Sequence, residues 1–460
     1  MGFIKRNSII CVFLAVLLLL ASCAQGKPGT GDESRTPAQS ADTVSKDGAQ
    51  WIEELLKTDY TYRNKMFRLV TVSESMFSDT SETPLAKAIM LRNNLIEQKL
   101  GIGINIVCRD ADTIKRELRA ASKKNEPYAD LICAPSSVLA ELAAEGLLEN
   151  LRQLPYLDFN AGYVDREGAK KQTVNNTLYM LSGDLTLDTN SCIGIFYNKK
   201  LLEGSGADPV ELVKTGRFTW GIFESMVKYV SDGGARGIES LLTKEELACA
   251  VYGSSGSLIA ETGAGRPAKS VYNIEAAEET ADITEGIFKN PEYTTDGGQS
   301  SAIQAFKQGK LGFLVGTMDK VSLLDGSKSE WGLLPFPKHS TEQADYSTPL
   351  SGSAPALAVP RGCKDSGFSG FVLNALLAAT TDSLEEALKV TYRNYHLWSN
   401  DAALMLNLIS GKKHYDFGVC YASVPEVAAV GAAPLKSGLR GALGETEKEA
   451  FGAFAARLFY

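Results

Sequence analysis

Histidine is scarce in this chain. His339, His396 and His414 are the only three, and none stands in an H-E-x-x-H pair of the kind that holds a catalytic zinc. No G-x-x-x-x-G-K-[ST] run is present to cradle phosphates, and no G-x-G-x-x-G opens a dinucleotide-binding unit. Gly438, Gly441 and Gly444 are spaced differently and fall in a helix-rich tail. G-x-S-x-G is also missing, since Gly253-Ser-Ser-Gly256 does not fit it. Asp188-Thr-Asn190 lacks the rest of a calcium loop. A basic stripe is absent too: the net charge is −8, and the lysine pairs at 123–124, 199–200 and 412–413 are scattered. That excludes nucleic acid as a partner on charge grounds. What remains points to binding more than to catalysis, with no cofactor and no metal expected.

Cysteine is thinly spread. There are eight, with no C-x-x-C. Cys11 and Cys23 lie in the N-terminal segment; the other six, Cys108, Cys133, Cys192, Cys249, Cys363 and Cys420, are far apart. A folded body of this size does not need a disulfide. Cys108, Cys133 and Cys192 sit in apolar, strand-like runs and are expected as buried free thiols. The adjacent acids Glu53-Glu54, Glu245-Glu246, Glu278-Glu279 and Glu385-Glu386 fall on helical stretches and read as solvated faces rather than as a glycosidase pair.

The N-terminus carries the most specific signal. Lys5 and Arg6 precede an apolar run, Ile9–Leu20, and then Leu20-Ala-Ser-Cys23. The run is too short for a confident membrane span and fits a signal-peptide core. Small residues before Cys23 resemble a bacterial lipoprotein signal, which implies cleavage before Cys23 (residues 1–22 removed) and acylation of Cys23. Several acyl chains together give a stable membrane anchor. The segment 23–50 is rich in Gly, Ser, Thr, Asp and Lys and is expected to be a flexible tether. The folded body then runs over 51–460 and stands outside the cytoplasmic membrane.

Along that body, Phe67–Val72, Ile102–Val107 and Asp130–Ala134 read as buried strands. Helices are expected over Leu85–Leu100, ended by Gly101, over Ile114–Lys124 and over Val138–Glu145. Strand and helix in alternation imply parallel strands joined by crossovers, an α/β fold. Thr219 is an expected N-cap for a helix running to Val230. Ala276–Phe288 and Ser301–Gln308 follow as helices. Leu311–Gly316, Trp331–Lys338 and Ala354–Pro360 read as strands, and 368–460 is mostly helical. The stretch SGDLTLDTNSCIGIFYNKKLL, 182–202, changes character midway. Its polar half is expected to lie exposed along a cleft floor, and Cys192–Tyr197 to start a buried strand.

Taken in order, several phrases resemble the extracellular solute-binding lipoproteins of ABC importers, in the carbohydrate-type group. They are FRLVT at 67–71, RNNLIEQKLGI with Arg92, Asn93 and Glu97, and YADLICAPSSVLAELAAEGLLENLRQLPYLD at 128–158. GIFYNKKLL with DPVELVKTGRFTWGIFESMVKYV comes next, followed by AFKQGKLGFLVG, WGLLPFPKHSTEQADY and NDAALMLNLISGKKHYDFGVCYA. The resemblance implies a two-lobe periplasmic-binding-protein-like fold (type II), its lobes joined by crossover strands around a central ligand cleft. Lobe 1 would take about 63–183 and 354–396, and lobe 2 about 190–347 and 400–460. It further implies a monomer that closes by hinge motion and docks on an ABC permease, with a sugar or oligosaccharide as solute.

In such sheets the ligand meets strand C-termini and the loops after them. By position these are Glu74, Ser136, Ser137, Asp184, Asn190, Met318, Asp319, Tyr346 and Tyr421. Two depart from the family pattern: Met318 stands where sugar binders often carry an aromatic, and Ser136 where some carry a charged sugar contact. Trp220 and Trp331 are expected in the core. A surface glycoside hydrolase would instead need two carboxylates roughly 5–10 Å apart across the cleft. A ligand-binding sensor lipoprotein is the third reading.

Overall fold

Phe67, Leu69 and Val70 have no exposed surface, and the strand that carries them, β1 (Met66–Thr71), lies inside a four-stranded sheet. In this computed structural model β2 (Gly103–Cys108) and β3 (Leu131–Pro135) flank β1, both parallel to it. The helices between them are cut by their own end signals. Thr83 accepts from the Ala86 amide and Pro84 opens the helix Pro84–Leu100; Gly101, at φ 63°, ends it in the left-handed region that a glycine adopts without strain. Asp110 caps Ala111–Lys124 in the same way. A late strand, β11 (Pro355–Ala358), adds antiparallel to β3 and closes the order β11-β3-β1-β2.

A second four-stranded sheet has the order β5-β8-β4-β9, with β4 at Ile193–Asn198, β5 at Arg236–Ser240, β8 at Leu311–Thr317 and β9 at Trp331–Leu334. Every residue of β4 and of β8 is buried, as expected for strands covered on both faces. Trp220, Phe223, Phe313 and Phe336 pack edge-to-face beneath it at centroid distances of 4.8 to 5.7 Å. Gly194 is required by close approach: a Cβ there would meet Met318 Cε at 2.8 Å and the Leu334 carbonyl at 3.1 Å. Among the described residues two small ladders complete the strands, an antiparallel pair of β6 (Ala260–Gly263) with β7 (Arg266–Ser270) and a parallel pair of β10 (Thr348–Pro349) with β12 (Lys413–His414).

The structure describes residues 48–57 and 62–420, apart from 174–175, 255–259, 264–265, 271–282, 285, 296, 381–382 and 398. The signal segment, Cys23, Tyr421, most of the helix expected over 276–288 and the tail beyond 420 lie outside these residues. The first helix, Gly48–Lys57, begins inside the stretch read as tether, and its Trp51 packs on Phe371 at 6.2 Å. Among the described residues no helix is long and apolar enough to cross a membrane.

Cys133 and Cys192 are buried as expected, but Cys108 is exposed. It ends β2, the edge strand of the first sheet, where no neighbouring strand covers it. Burial pushes the Cys133 thiol up to about 12 and the Cys192 thiol well above its ordinary value. Iodoacetamide applied to the folded protein therefore labels the Cys108 peptide first, and the Cys133 and Cys192 peptides only after denaturation, as read by peptide mass mapping.

Candidate functional site

The polar half of 182–202 connects the two sheets, and most of it is buried. Leu181 still bridges to Leu357 of β11, exchanging backbone hydrogen bonds of 3.0 and 2.9 Å. Two short 3-10 turns follow, Asp184–Thr186 and Asp188–Ser191, and then β4 begins. Ser182, Thr186, Asp188, Thr189 and Ser191 are all less than a tenth exposed. The expectation of an exposed cleft floor is thus corrected: five polar side chains of the crossing are inside the protein, and each needs a partner there. Leu187, between the turns, sits at φ 50°, a left-handed conformation costing a branched side chain about 1–3 kcal/mol.

The partners come from elements remote in sequence. Asp188 accepts from Lys413 Nζ at 2.7 Å and from the Tyr415 hydroxyl. Thr189 donates to Glu385, whose two oxygens lie 2.9 and 2.8 Å away, and Glu385 also pairs with Lys389 at 3.2 Å. The Tyr392 hydroxyl donates to Asn190 Oδ1. Burial opposes the charge on Lys413, but the Asp188 and Glu385 carboxylates outweigh it and hold the ammonium above its ordinary range. Burial first, then Asp188, pushes the Tyr415 hydroxyl well up, so it stays a neutral donor. Burial and the nearby Asp319 charge do the same to Tyr392.

The return passage from β9 to β11 and the late segment Lys413–Tyr415 run beside this one. Lys413 and His414 pair with Thr348 and Pro349, and the chain after them bridges to the first crossing through Cys192–Leu350 and the Ser351 amide on the Ser191 carbonyl, 3.1 Å. Ser351 Oγ donates to Glu246 at 2.8 Å. Ser136 Oγ and the Ser137 amide both donate to the Gly352 carbonyl, at 3.0 and 3.3 Å. Glu385 and Glu246, read as members of solvated acidic pairs, face inward; Glu386 is on the surface with Arg393.

The sequence-predicted residues distribute unevenly around this junction. Asp184 is half-buried on the first turn, and its carboxylate comes within 4.8 Å of those of Asp188 and Glu385. Asn190 meets Tyr392. Met318 is buried over Gly194, and its amide donates to the Cys192 carbonyl at 2.9 Å. Asp319 is exposed beside it and accepts from Thr317 and Lys320. Ser136 is buried and Ser137 half-buried against Gly352. Tyr346 is buried with Lys338 Nζ 5.6 Å over its ring, and burial pushes its hydroxyl up to about 12. Glu74 is exposed on the turn after β1. Asp188, Glu385, Tyr392, Lys413 and Tyr415 were not anticipated as site residues. The one available signal was Lys413-His-Tyr415, two polar residues on one side of an extended segment.

The two four-stranded sheets meet through this junction, and a comparison with known families says to which one the fold belongs. The family model described as bacterial extracellular solute-binding protein matches residues 93–369, more than half of the chain. The chain belongs to this family. Among solved structures it is similar to the GacH receptor of Streptomyces glaucescens GLA.O, with a TM-score of 0.54 and 15% identity, covering 86% of this chain and 98% of that one. That receptor was solved unliganded and in complex with acarbose and an acarbose homolog. At this identity the likeness establishes the solute-binding fold. No curated protein matches the chain.

Proposed function

We propose that this solute-binding protein is anchored to the outer face of the bacterial cytoplasmic membrane through acylated Cys23. There it captures a sugar or oligosaccharide between its lobes and delivers it to an ABC permease by hinge closure, without turning it over. The observation that carries the reading is the junction itself. Asp184, Asn190 and Asp319, three polar groups suited to sugar hydroxyls, stand on or beside passages that join the sheets. A change in the angle between the sheets would act on that place. The lipoprotein-like N-terminus supports the anchor, and the acarbose-bound neighbour supports a saccharide as solute.

The test is a thermal-unfolding screen of the soluble body against neutral glycans, sugar acids, amino acids and polyamines. One saccharide class should raise the midpoint, scaling as RT ln(1 + [L]/Kd), and be recovered intact after incubation. Asp184→Ala should weaken that ligand about tenfold or more, the loss of one charged hydrogen bond, while the empty protein keeps its midpoint. Shifts with amino acids alone, or hydrolysis of the bound glycan, would overturn the proposal.

A further inference from the structure

A groove lies at the far end of the second sheet from the junction. Arg236 opens β5 and Lys310 stands one residue before β8; the two strands run parallel, and the Arg236 amide donates to the Lys310 carbonyl at 3.0 Å. Met318 and Asp319 follow the other end of β8. The seven residues of β8 separate the two places by about 23 Å. The groove has a volume of about 670 Å³, within the range of small-molecule sites. One wall is a face of the helix Gly298–Lys307 and its cap, where Ser301, Gln304 and Gln308 stand at i, i+3 and i+7. The other is Gly233-Gly234, which offers no side chain.

The chemistry of this groove is one-sided. Arg236 is half-buried, and among the described residues its guanidinium makes one hydrogen bond, from Nη1 to Ser301 Oγ at 3.4 Å, longer than an ordinary one. Lys310 is exposed. Among the described residues neither cation has a carboxylate partner, and the side-chain amides of Gln304 and Gln308 make no hydrogen bond. The acids close to Arg236 in sequence are engaged elsewhere. Glu239 takes the amide and hydroxyl of Thr295 at 2.9 and 2.7 Å, and Asp232 pairs with Lys228 at 2.9 Å. The helix ends beside the groove do not need the cations either. Tyr229, Ser231 and Val230 carbonyls accept from the Gly233, Gly234 and Ala235 amides, and those of Gln304, Ala305 and Phe306 accept from Gln308, Lys310 and Gly309. In a chain of net charge −8, two uncompensated cations and two unengaged amides lining one groove call for an anion. A guanidinium fork bonds two oxygens of a phosphate at once, and an ammonium adds a point charge.

We propose that this groove binds a phosphate group, carried by a free phosphate ester or by a lipid headgroup, with Arg236 as the fork, Lys310 as the second charge, and Gln304 and Gln308 donating to the remaining oxygens. It is independent of what the junction takes. The experiment uses the chain from Cys23 onward with Cys23→Ser, so that it carries no acyl group. Calorimetric titration with inorganic phosphate and with glycerol 3-phosphate, at constant ionic strength, tests the free form. Co-sedimentation with phosphatidylglycerol vesicles, against phosphatidylcholine vesicles, tests the headgroup. At least one of these probes should bind saturably at millimolar concentration or below, and the arm in which it does assigns the source. Arg236→Gln should weaken that binding about tenfold or more, the loss of a charge-assisted hydrogen bond. Lys310→Gln should weaken it about threefold or more, the worth of an exposed charge. Arg236→Lys keeps the charge but not the fork, and should fall short of the parent. Absence of binding in both arms, or binding that Arg236→Gln and Lys310→Gln leave unchanged, would overturn the proposal. If Arg236→Gln fails to fold, Lys310→Gln at its exposed position decides alone: an unchanged affinity overturns it.

Discussion

Asp188→Ala lowers the unfolding free energy by about 3–5 kcal/mol, the cost of leaving a buried charge without its partner. Asp188 has no exposed surface, and its two oxygens are taken by Lys413 and Tyr415. Removing it strands an ammonium whose side chain is only 19% exposed and a buried phenol. Urea unfolding should show the loss as a lower midpoint with an unchanged slope. Adding Lys413→Met should recover at least half, because an apolar pair of similar volume avoids the desolvation that the ion pair merely offsets. If the single variant is as stable as the parent, the crossing is not held by this pair. If the double variant is no better than the single, the stranded lysine is not what costs. The pair ties the first passage between the sheets to the late segment Lys413–Tyr415, so an affinity measured on the single variant also reports whether the junction matters for capture.

The fold was legible wherever local signals agree. Thr83, Pro84 and Gly101 bracket one helix, Asp110 and Asn125 another, and the apolar runs of β3, β4 and β8 announce strands covered on both faces. The family phrases depend on the same residues, so family and fold were read together. The junction was less legible. Asp184 and Asn190 were reachable because they precede an apolar strand, but Asp188, which holds the segment in place, looks like any loop acid. Its partners lie some two hundred residues further on, and nothing in the local pattern connects them. Glu385 misled for a related reason: of two adjacent acids on a helix, one faces in and one out, and helical periodicity does not say which when both flanks are mixed. Cys108 misled because position at a sheet edge is a property of strand order, which a single strand's composition does not contain.

Trp220→Ala costs about 3–5 kcal/mol, the range for truncating a fully enclosed large aromatic. The indole has no exposed surface, and it meets Phe223 at 5.7 Å and Phe336 at 5.6 Å in perpendicular contacts. Its N–H donates to Ser254 Oγ at 3.2 Å. Truncation therefore opens a cavity among rings that cannot collapse without leaving their rotamers, and it removes the donor to the buried Ser254 hydroxyl oxygen. Trp220→Phe keeps most of the volume and should cost less than half as much. The pair of variants separates a core residue from a sugar platform. A core residue loses stability in proportion to volume, and the folded fraction binds as the parent does. A platform loses affinity while the empty protein's unfolding midpoint stays where it was.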